Sequence, residues 1–297
     1  MNNTTSAFVA IVGKPNVGKS SILNKLVGQK IAIVSDKPQT TRTRISGIIT
    51  ENEMQLVFID TPGLHKPKNI LGENMVKAVN EGMSDVDCCL LVVEADTKIT
   101  PAEEELIKKF KSRKLNAVLA INKIDLLKDK EMLFEIIKKY SEAFEFSAIV
   151  PISAKTGEGM DALLDELKKF AVPSVHYFDD NAFTDQPERV ITAEIIREKL
   201  LRTLDKEVPH GIAVDIERFA ERDDADILDV EASVYCERQS HKGIVIGKGG
   251  QTLKKVGTQA RHDLEEFFEI KVNLKLWVKV KENWRTMSGI VHNLGLD

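Results

Sequence analysis

Residues 13–20 read Gly13-Lys14-Pro15-Asn16-Val17-Gly18-Lys19-Ser20 and fit the pattern G-x-x-x-x-G-K-[ST] without a mismatch. The chemistry is that of a phosphate cradle. Glycines let the backbone curl until its N–H groups point inward, and the N-terminus of the next helix adds partial positive charge. Lys19 is expected to reach the β- and γ-phosphates, and the Ser20 hydroxyl to ligate Mg²⁺; Ser21 follows it into the helix.

Three further clusters complete a nucleotide site. Asp60-Thr61-Pro62-Gly63-Leu64 follows an apolar run, so Asp60 can support a Mg²⁺ shell and the Gly63 N–H can meet a γ-phosphate. The polar, aperiodic stretch 35–44 contains Thr40 and Thr41; it reads as a loop that places a threonine on Mg²⁺ when a γ-phosphate is bound. Asn122-Lys123-Ile124-Asp125 selects the base. A carboxylate at Asp125 accepts two hydrogen bonds from guanine, from N1–H and the exocyclic amine, which adenine cannot supply. Lys123 lies along the purine face, and in Ser153-Ala154-Lys155 the Ala154 N–H is placed to meet guanine O6.

In this order, across 13–155, these motifs resemble those of the translation-factor-related GTPases. The resemblance implies GTP hydrolysis by in-line attack of water on the γ-phosphate, with Ser20 and Thr41 on Mg²⁺ and Asp60 behind them. Thr40 is the alternative to Thr41, because paired threonines leave the register open by one. Ras-like members carry a water-orienting glutamine where this chain has Leu64. Asn16 with the Thr-Thr-Arg switch resembles members that recruit K⁺ in place of an arginine finger, which implies K⁺-stimulated turnover and a slow intrinsic rate.

These residues need a scaffold. Short apolar runs at 7–12, 55–59, 89–93, 117–121 and 148–152 alternate with helical patterns, and each candidate motif falls at the C-terminal end of a run. That pattern predicts a mostly parallel, doubly wound sheet with its ligand at that edge. Thr100-Pro101-Ala102-Glu103 is a capping box that opens a structural helix.

Residues 173–191, with two prolines and no period, read as a linker. From 192 the order becomes α-β-β-α-α-β, too few parallel crossovers to extend the first sheet. Its first helix reads as amphipathic through Ile195, Ile196, Leu200, Leu201 and Leu204. Ile246-Gly247-Lys248-Gly249-Gly250 sits between two helical stretches and resembles the G-x-x-G loop of a KH domain, which clamps about four nucleotides. Residues 238–261 hold six basic side chains, among them Lys254, Lys255 and Arg261, and no acidic one. The last strand alternates Val272, Leu274, Leu276, Val278 and Val280 against lysines and Trp277. It reads as a one-sided sheet with a solvated lysine face; a second surface for RNA or anionic lipid is the alternative, and Trp277 can instead pack under the final helix.

The expected architecture is therefore an α/β P-loop GTPase domain (1–172), a linker (173–191) and an α+β KH domain of type II (192–297). One GTPase domain joined to a KH domain resembles a family of bacterial ribosome-assembly GTPases. That resemblance implies binding near the 3′ end of small-subunit ribosomal RNA, small-subunit maturation, a monomer, and loose association with the inner membrane surface. A GTP-sensing switch whose second domain binds a protein is the other reading.

Bulk properties fit. The 297 residues carry a net charge of −4, so nucleic-acid binding must come from a local patch. Three cysteines, two of them adjacent in an apolar run, suggest reduced buried thiols and a cytoplasmic setting. The first residues lack a signal-peptide pattern, and no apolar stretch is long enough to span a bilayer.

Overall fold

The computed structural model describes residues 4–296 apart from 36, 38, 39, 43, 64–69, 84, 97, 130, 206, 207 and 295. The chain divides into two compact units. One comprises Met1–Ala32, Thr41–Lys66 and Met75–Asp185; the other comprises Ile33–Thr40, Pro67–Asn74 and Gln186–Asp297.

The first unit is built on β1 (Thr5–Val12), β2 (Ile45–Glu51), β3 (Met54–Asp60), β4 (Cys88–Glu94), β5 (Ala117–Asn122) and β6 (Ala148–Pro151), in the order β2-β3-β1-β4-β5-β6. Only β2 runs antiparallel along this path. Helices α1 (Lys19–Val27), α2 (Ile70–Gly82, from Met75 onward), α3 (Pro101–Arg113), α4 (Glu131–Ala143) and α5 (Met160–Lys168) accompany the sheet. Continuous apolar runs are needed because both faces are covered. Val9, Ile11, Leu90 and Val92 pack with Ile22 and Leu23 of α1 and Leu163 and Leu167 of α5. Their alternates Ala10, Val12, Leu91 and Val93 pack with Leu106 and Phe110 of α3 and Ile136 and Tyr140 of α4. Cys88 and Cys89 are buried free thiols in β4, both pushed up to about 12 by burial.

The boundary expected at 172 moves. β7 (Val172–Pro173) pairs antiparallel with Thr5 and Ser6 of β1, and the compact unit runs on to Asp185. Gln55 of β3, fully buried, accepts the Tyr177 and Phe178 N–H groups at 2.7 and 3.0 Å and donates to Phe178 O at 2.9 Å. Asp185 accepts the Ser46 hydroxyl at 2.8 Å, and Tyr177 packs edge-on against Phe8. A segment that docks through its backbone has no hydrophobic period, so its sequence reads as a linker.

The second unit holds α6 (Glu188–Thr203), β8 (Ala213–Arg222), β9 (Ala225–Cys236), α7 (Gln239–Ile246), α8 (Gln251–Phe268), β10 (Lys271–Val280) and α9 (Ser288–Asn293). The sheet order is β10-β9-β8, with β10 parallel and β8 antiparallel to β9. Helix α6 starts at Glu188, before the expected 192, and is not simply amphipathic, because Thr192, Arg197, Glu198 and Lys199 are buried as well as its aliphatics. Lys199 pairs with Asp263 of α8 and with Glu198, and Glu198 also accepts from Arg202 at 2.9 Å. Buried charges are tolerated where they are paired in this way.

On the lysine face of β10, Lys275 pairs with Glu231 and Lys279 with Glu217, while Lys281 lies over the Tyr235 ring. Trp277 is 41% exposed on it and does not pack under the final helix; Trp284 is the buried indole, donating to Gly211 O at 2.9 Å.

Candidate functional site

Strand ends of the first unit bring the motifs to one edge. The 13–20 loop follows β1, Asp60 ends β3, Glu94 ends β4, Asn122 ends β5 and Ser153 follows β6. Helix α1 begins at Lys19, directly after Gly18 in the left-handed region at φ 102°, where a Cβ would collide with the Asn122 amide. Gly63 is equally constrained, since its Cβ would lie 2.7 Å from Pro15 N. Leu64 lies outside the described residues.

Lys19 is nearly buried, and its ammonium donates to Gly13 O at 3.2 Å and Lys14 O at 3.0 Å. Burial lowers its pKa to about 8, with the attraction of Asp60 acting the other way. Asp60 is fully buried, and burial pushes its carboxyl up despite Lys19 and the hydroxyls beside it. Its Oδ2 accepts Ser20 Oγ at 2.7 Å and Thr41 Oγ1 at 3.4 Å, and those hydroxyls lie 3.0 Å apart. Its Oδ1 is buried with no partner among the described residues. An orphaned carboxylate oxygen beside two hydroxyls is the oxygen donor set that suits Mg²⁺. The hydroxyl of Thr40 turns elsewhere and donates to Lys37 O at 2.6 Å.

The base loops are tied to the phosphate loop. Asn122 is buried; its Nδ2 donates to Val17 O at 2.7 Å, and its Oδ1 accepts the Ala154 N–H at 3.0 Å. The Ala154 N–H expected to meet guanine O6 is thus already satisfied by Asn122. Asp125 is exposed in a 3-10 turn at Ile124–Leu126, and its Oδ1 accepts from buried Ser153 Oγ at 2.7 Å. Lys123 and Asn16 both hold positive φ, at 67° and 65°, and Lys123 Nζ donates to Asn16 O at 2.8 Å. Strained non-glycine residues of this kind concentrate at functional sites. Lys155 is exposed beside this loop.

In the second unit, α7 ends at Ile246 and Gly247 opens a tight 3-10 turn over Lys248–Gly250 before α8. Gly247 must be glycine, because its φ is 75° and a Cβ would collide with the Thr252 hydroxyl. Beside the turn lies a groove of about 400 Å³, with Leu253, Leu274 and Leu276 as apolar lining and Lys254 and Arg261 among its polar residues. Arg238, Lys248, Lys254, Lys255 and Arg261 are exposed and have no carboxylate partner among the described residues, whereas Arg222, Lys275, Lys279 and Arg285 of the strands and the turn after them are all paired.

Sequence reasoning missed Glu94 and the anchoring role of Ser153, and it read Glu103 as a capping residue without its contacts to Lys14 and Tyr140. The one signal Glu94 left is that it is an acidic residue closing an apolar strand run, as Asp60 is; its place between the phosphate and base loops appears only with the strand order.

The family described as 50S ribosome-binding GTPase matches residues 8–123, and the KH domain family matches residues 207–285. A GTPase Era from Clostridioides difficile is 52% identical over 290 residues, covering 98% of both chains. The chain belongs to the GTPase Era family. An Era of Alkaliphilus metalliredigens is 47% identical over 292 residues, covering 98% of this chain and 99% of its own. A crystal structure of Era in complex with MgGDPNP and nucleotides 1506–1542 of 16S ribosomal RNA matches with a TM-score of 0.94 and 37% identity, covering 99% of each chain. An Aquifex aeolicus Era variant bound to GDP·AlF₄⁻ matches with a TM-score of 0.95, also at 37% identity and 99% coverage. Like Era, the chain is a GTPase with a KH domain.

Proposed function

We propose that the chain is a GTP-hydrolysing switch that acts in the cytoplasm, binds the 3′ region of small-subunit ribosomal RNA and assists small-subunit assembly. The observation that carries this is the G-x-x-G turn, set beside an apolar groove and among cations that have no carboxylate partner among the described residues. The likeness to an Era that carries 16S ribosomal RNA supports the choice of subunit. The 50S in the matched family's description belongs to a match over residues 8–123, which excludes the KH domain.

In the nucleotide site, Lys19 would exchange its two loop carbonyls for β- and γ-phosphate oxygens, whose charge favours its protonated form. Ser20 and Thr41 would hold Mg²⁺ with Asp60 behind them, and the ion would neutralise charge building on the phosphates. Asp125 reads guanine while Ser153 holds one of its oxygens. Gly63 packs against Pro15, so its N–H stays close to the phosphate loop.

With Leu64 unable to orient water, the remaining catalytic charge is assigned to K⁺ at Asn16. Turnover in KCl should exceed that in NaCl by about tenfold or more; equal rates in the two salts would remove K⁺ from the mechanism. A monomer that visits the inner face of the membrane completes the reading. That part rests on the family resemblance, and no helix among the described residues is long and apolar enough to cross a bilayer.

The RNA assignment is tested with Lys248→Asp. Affinity for a short single strand from the ribosomal RNA 3′ region should fall about tenfold or more, and GTP hydrolysis should not change. The salt dependence should weaken by about one unit of slope, as for loss of one phosphate contact. Unchanged RNA affinity would favour a protein partner for the second unit.

A further inference from the structure

The end of β4 sits between the two halves of the nucleotide site, because β4 is flanked by β1 and β5 in the sheet. Glu94 occupies that end. One carboxylate oxygen accepts from Lys123 of the base loop, and the other lies 3.1 Å from Lys14 Nζ of the phosphate loop. Lys123 also donates to Asn16 O at 2.8 Å, so a closed ring runs from base loop to phosphate loop through one carboxylate. Burial acts to raise the Glu94 carboxyl, but its hydrogen bonds to Lys123 and Lys14 outweigh this and hold it below the usual range. Behind the ring, Lys14 lies 4.0 Å from Glu103, itself buried. Glu103 accepts the Thr100 N–H at 2.7 Å and the Tyr140 hydroxyl at 3.1 Å, which anchors it to the start of α3 and to α4.

Two lysines on separate loops repel each other unless an anion stands between them, and a lysine stem is costly to order alone. We propose that Glu94 is a positioning residue for the guanine base: it joins Lys123 to Lys14, fixes the Lys123 stem along the purine face and locks the base loop to the phosphate loop. The proposal rests on the reading of Lys123 as the residue that covers the base. Glu94 touches no reacting atom, so it acts on affinity and leaves the chemical step alone. Both GTP and GDP carry the same base, so both should feel its loss equally.

The test is a double-mutant cycle on the full chain, read by GDP and GTP dissociation constants and by single-turnover hydrolysis. Glu94→Gln should weaken both nucleotides about tenfold, mainly through faster release, with the hydrolysis rate at saturation changed less than about twofold. In a Lys123→Met background the same substitution should cost less than about twofold, because the side chain it positions is gone. Lys14→Met should reproduce part of the loss. An equal loss in both backgrounds, or a fall in unliganded thermal midpoint that accounts for the loss, would reduce Glu94 to a structural group and overturn the proposal. Unchanged affinity in Glu94→Gln would overturn it directly. A Lys123→Met chain that binds GDP as tightly as the wild type would overturn the placement of the base instead.

Discussion

Asp125→Asn should lower affinity for GTP and GDP by about three orders of magnitude and create a site that prefers xanthosine nucleotides. The wild-type carboxylate is acceptor-only, and guanine presents two donors to it, N1–H and the 2-amino group. An asparagine amide turns one acceptor into a donor, so one guanine donor meets another donor in a desolvated contact. Xanthine has a carbonyl at that position and restores the pairing. The substitution should be silent for the fold, because Asp125 is exposed and the Ser153 hydroxyl bond at 2.7 Å can be kept by the amide oxygen. Competition between GDP and XDP for each protein reads the switch. Undiminished GDP affinity in the variant would show that this carboxylate does not face the base.

Asp60→Asn separates stability from activity. Hydrolysis at saturating GTP should fall by about two to three orders of magnitude, since the carboxylate behind the two hydroxyls proposed to hold Mg²⁺ is lost. The unliganded protein should unfold no earlier than the wild type, and the reason is a sign. Burial raises the Asp60 carboxyl above its usual 3.8, so the unfolded chain releases this proton more readily than the folded one. Unliganded stability contributed here is full below the unfolded pKa and declines as pH rises through the folded one. Wherever the carboxylate is ionised, its burial, with Oδ1 lacking a partner among the described residues, is a burden that a neutral amide lightens. The check is thermal unfolding with and without a GTP analogue and Mg²⁺. The variant's unliganded midpoint should hold or rise while its gain on adding ligand shrinks. A steep unliganded loss would mean that the Ser20 and Lys19 contacts outweigh the burial.

Much of the candidate site is readable in order along the chain because each proposed piece of its chemistry is local. The Gly13–Ser20 motif is a single curled loop, so it can be seen without knowing the fold, and the carboxylate proposed to read guanine comes packaged in Asn122 to Asp125. Thr41 and Thr40 cannot be separated that way; the difference appears only when β3 brings Asp60 Oδ2 to 3.4 Å from one hydroxyl. Glu94 is hidden for a stronger reason. Its partners Lys14 and Lys123 lie far away in sequence and are joined by the strand order. Helix α6 misleads because a buried Glu198 with Lys199 and Arg202 looks, as a string, like a solvated face. The G-x-x-G turn was legible, but its groove was not, since Leu274 and Leu276 reach it from β10 across the domain.

Gln55 sets where an isolated GTPase fragment can end. Cutting at 172, where hydrophobic periodicity stops, would strip three hydrogen bonds from an amide with no exposure and leave the start of β1 as a bare sheet edge. Each buried polar group left without a partner costs about 1–3 kcal/mol, enough in total to consume much of a small domain's margin. Phe8 would lose Tyr177, and Ser46 would lose Asp185. A fragment carried through Asp185 keeps all of these, and the thirteen residues from Pro173 to Asp185 behave as the closing clasp of the fold. Recombination between relatives is under the same constraint: a crossover within the clasp breaks matched pairs in the first unit, whereas one at Gln186 or Pro187 spares them and divides only the second unit, whose 33–40 stretch is tied to α6 through Val34 and Glu198.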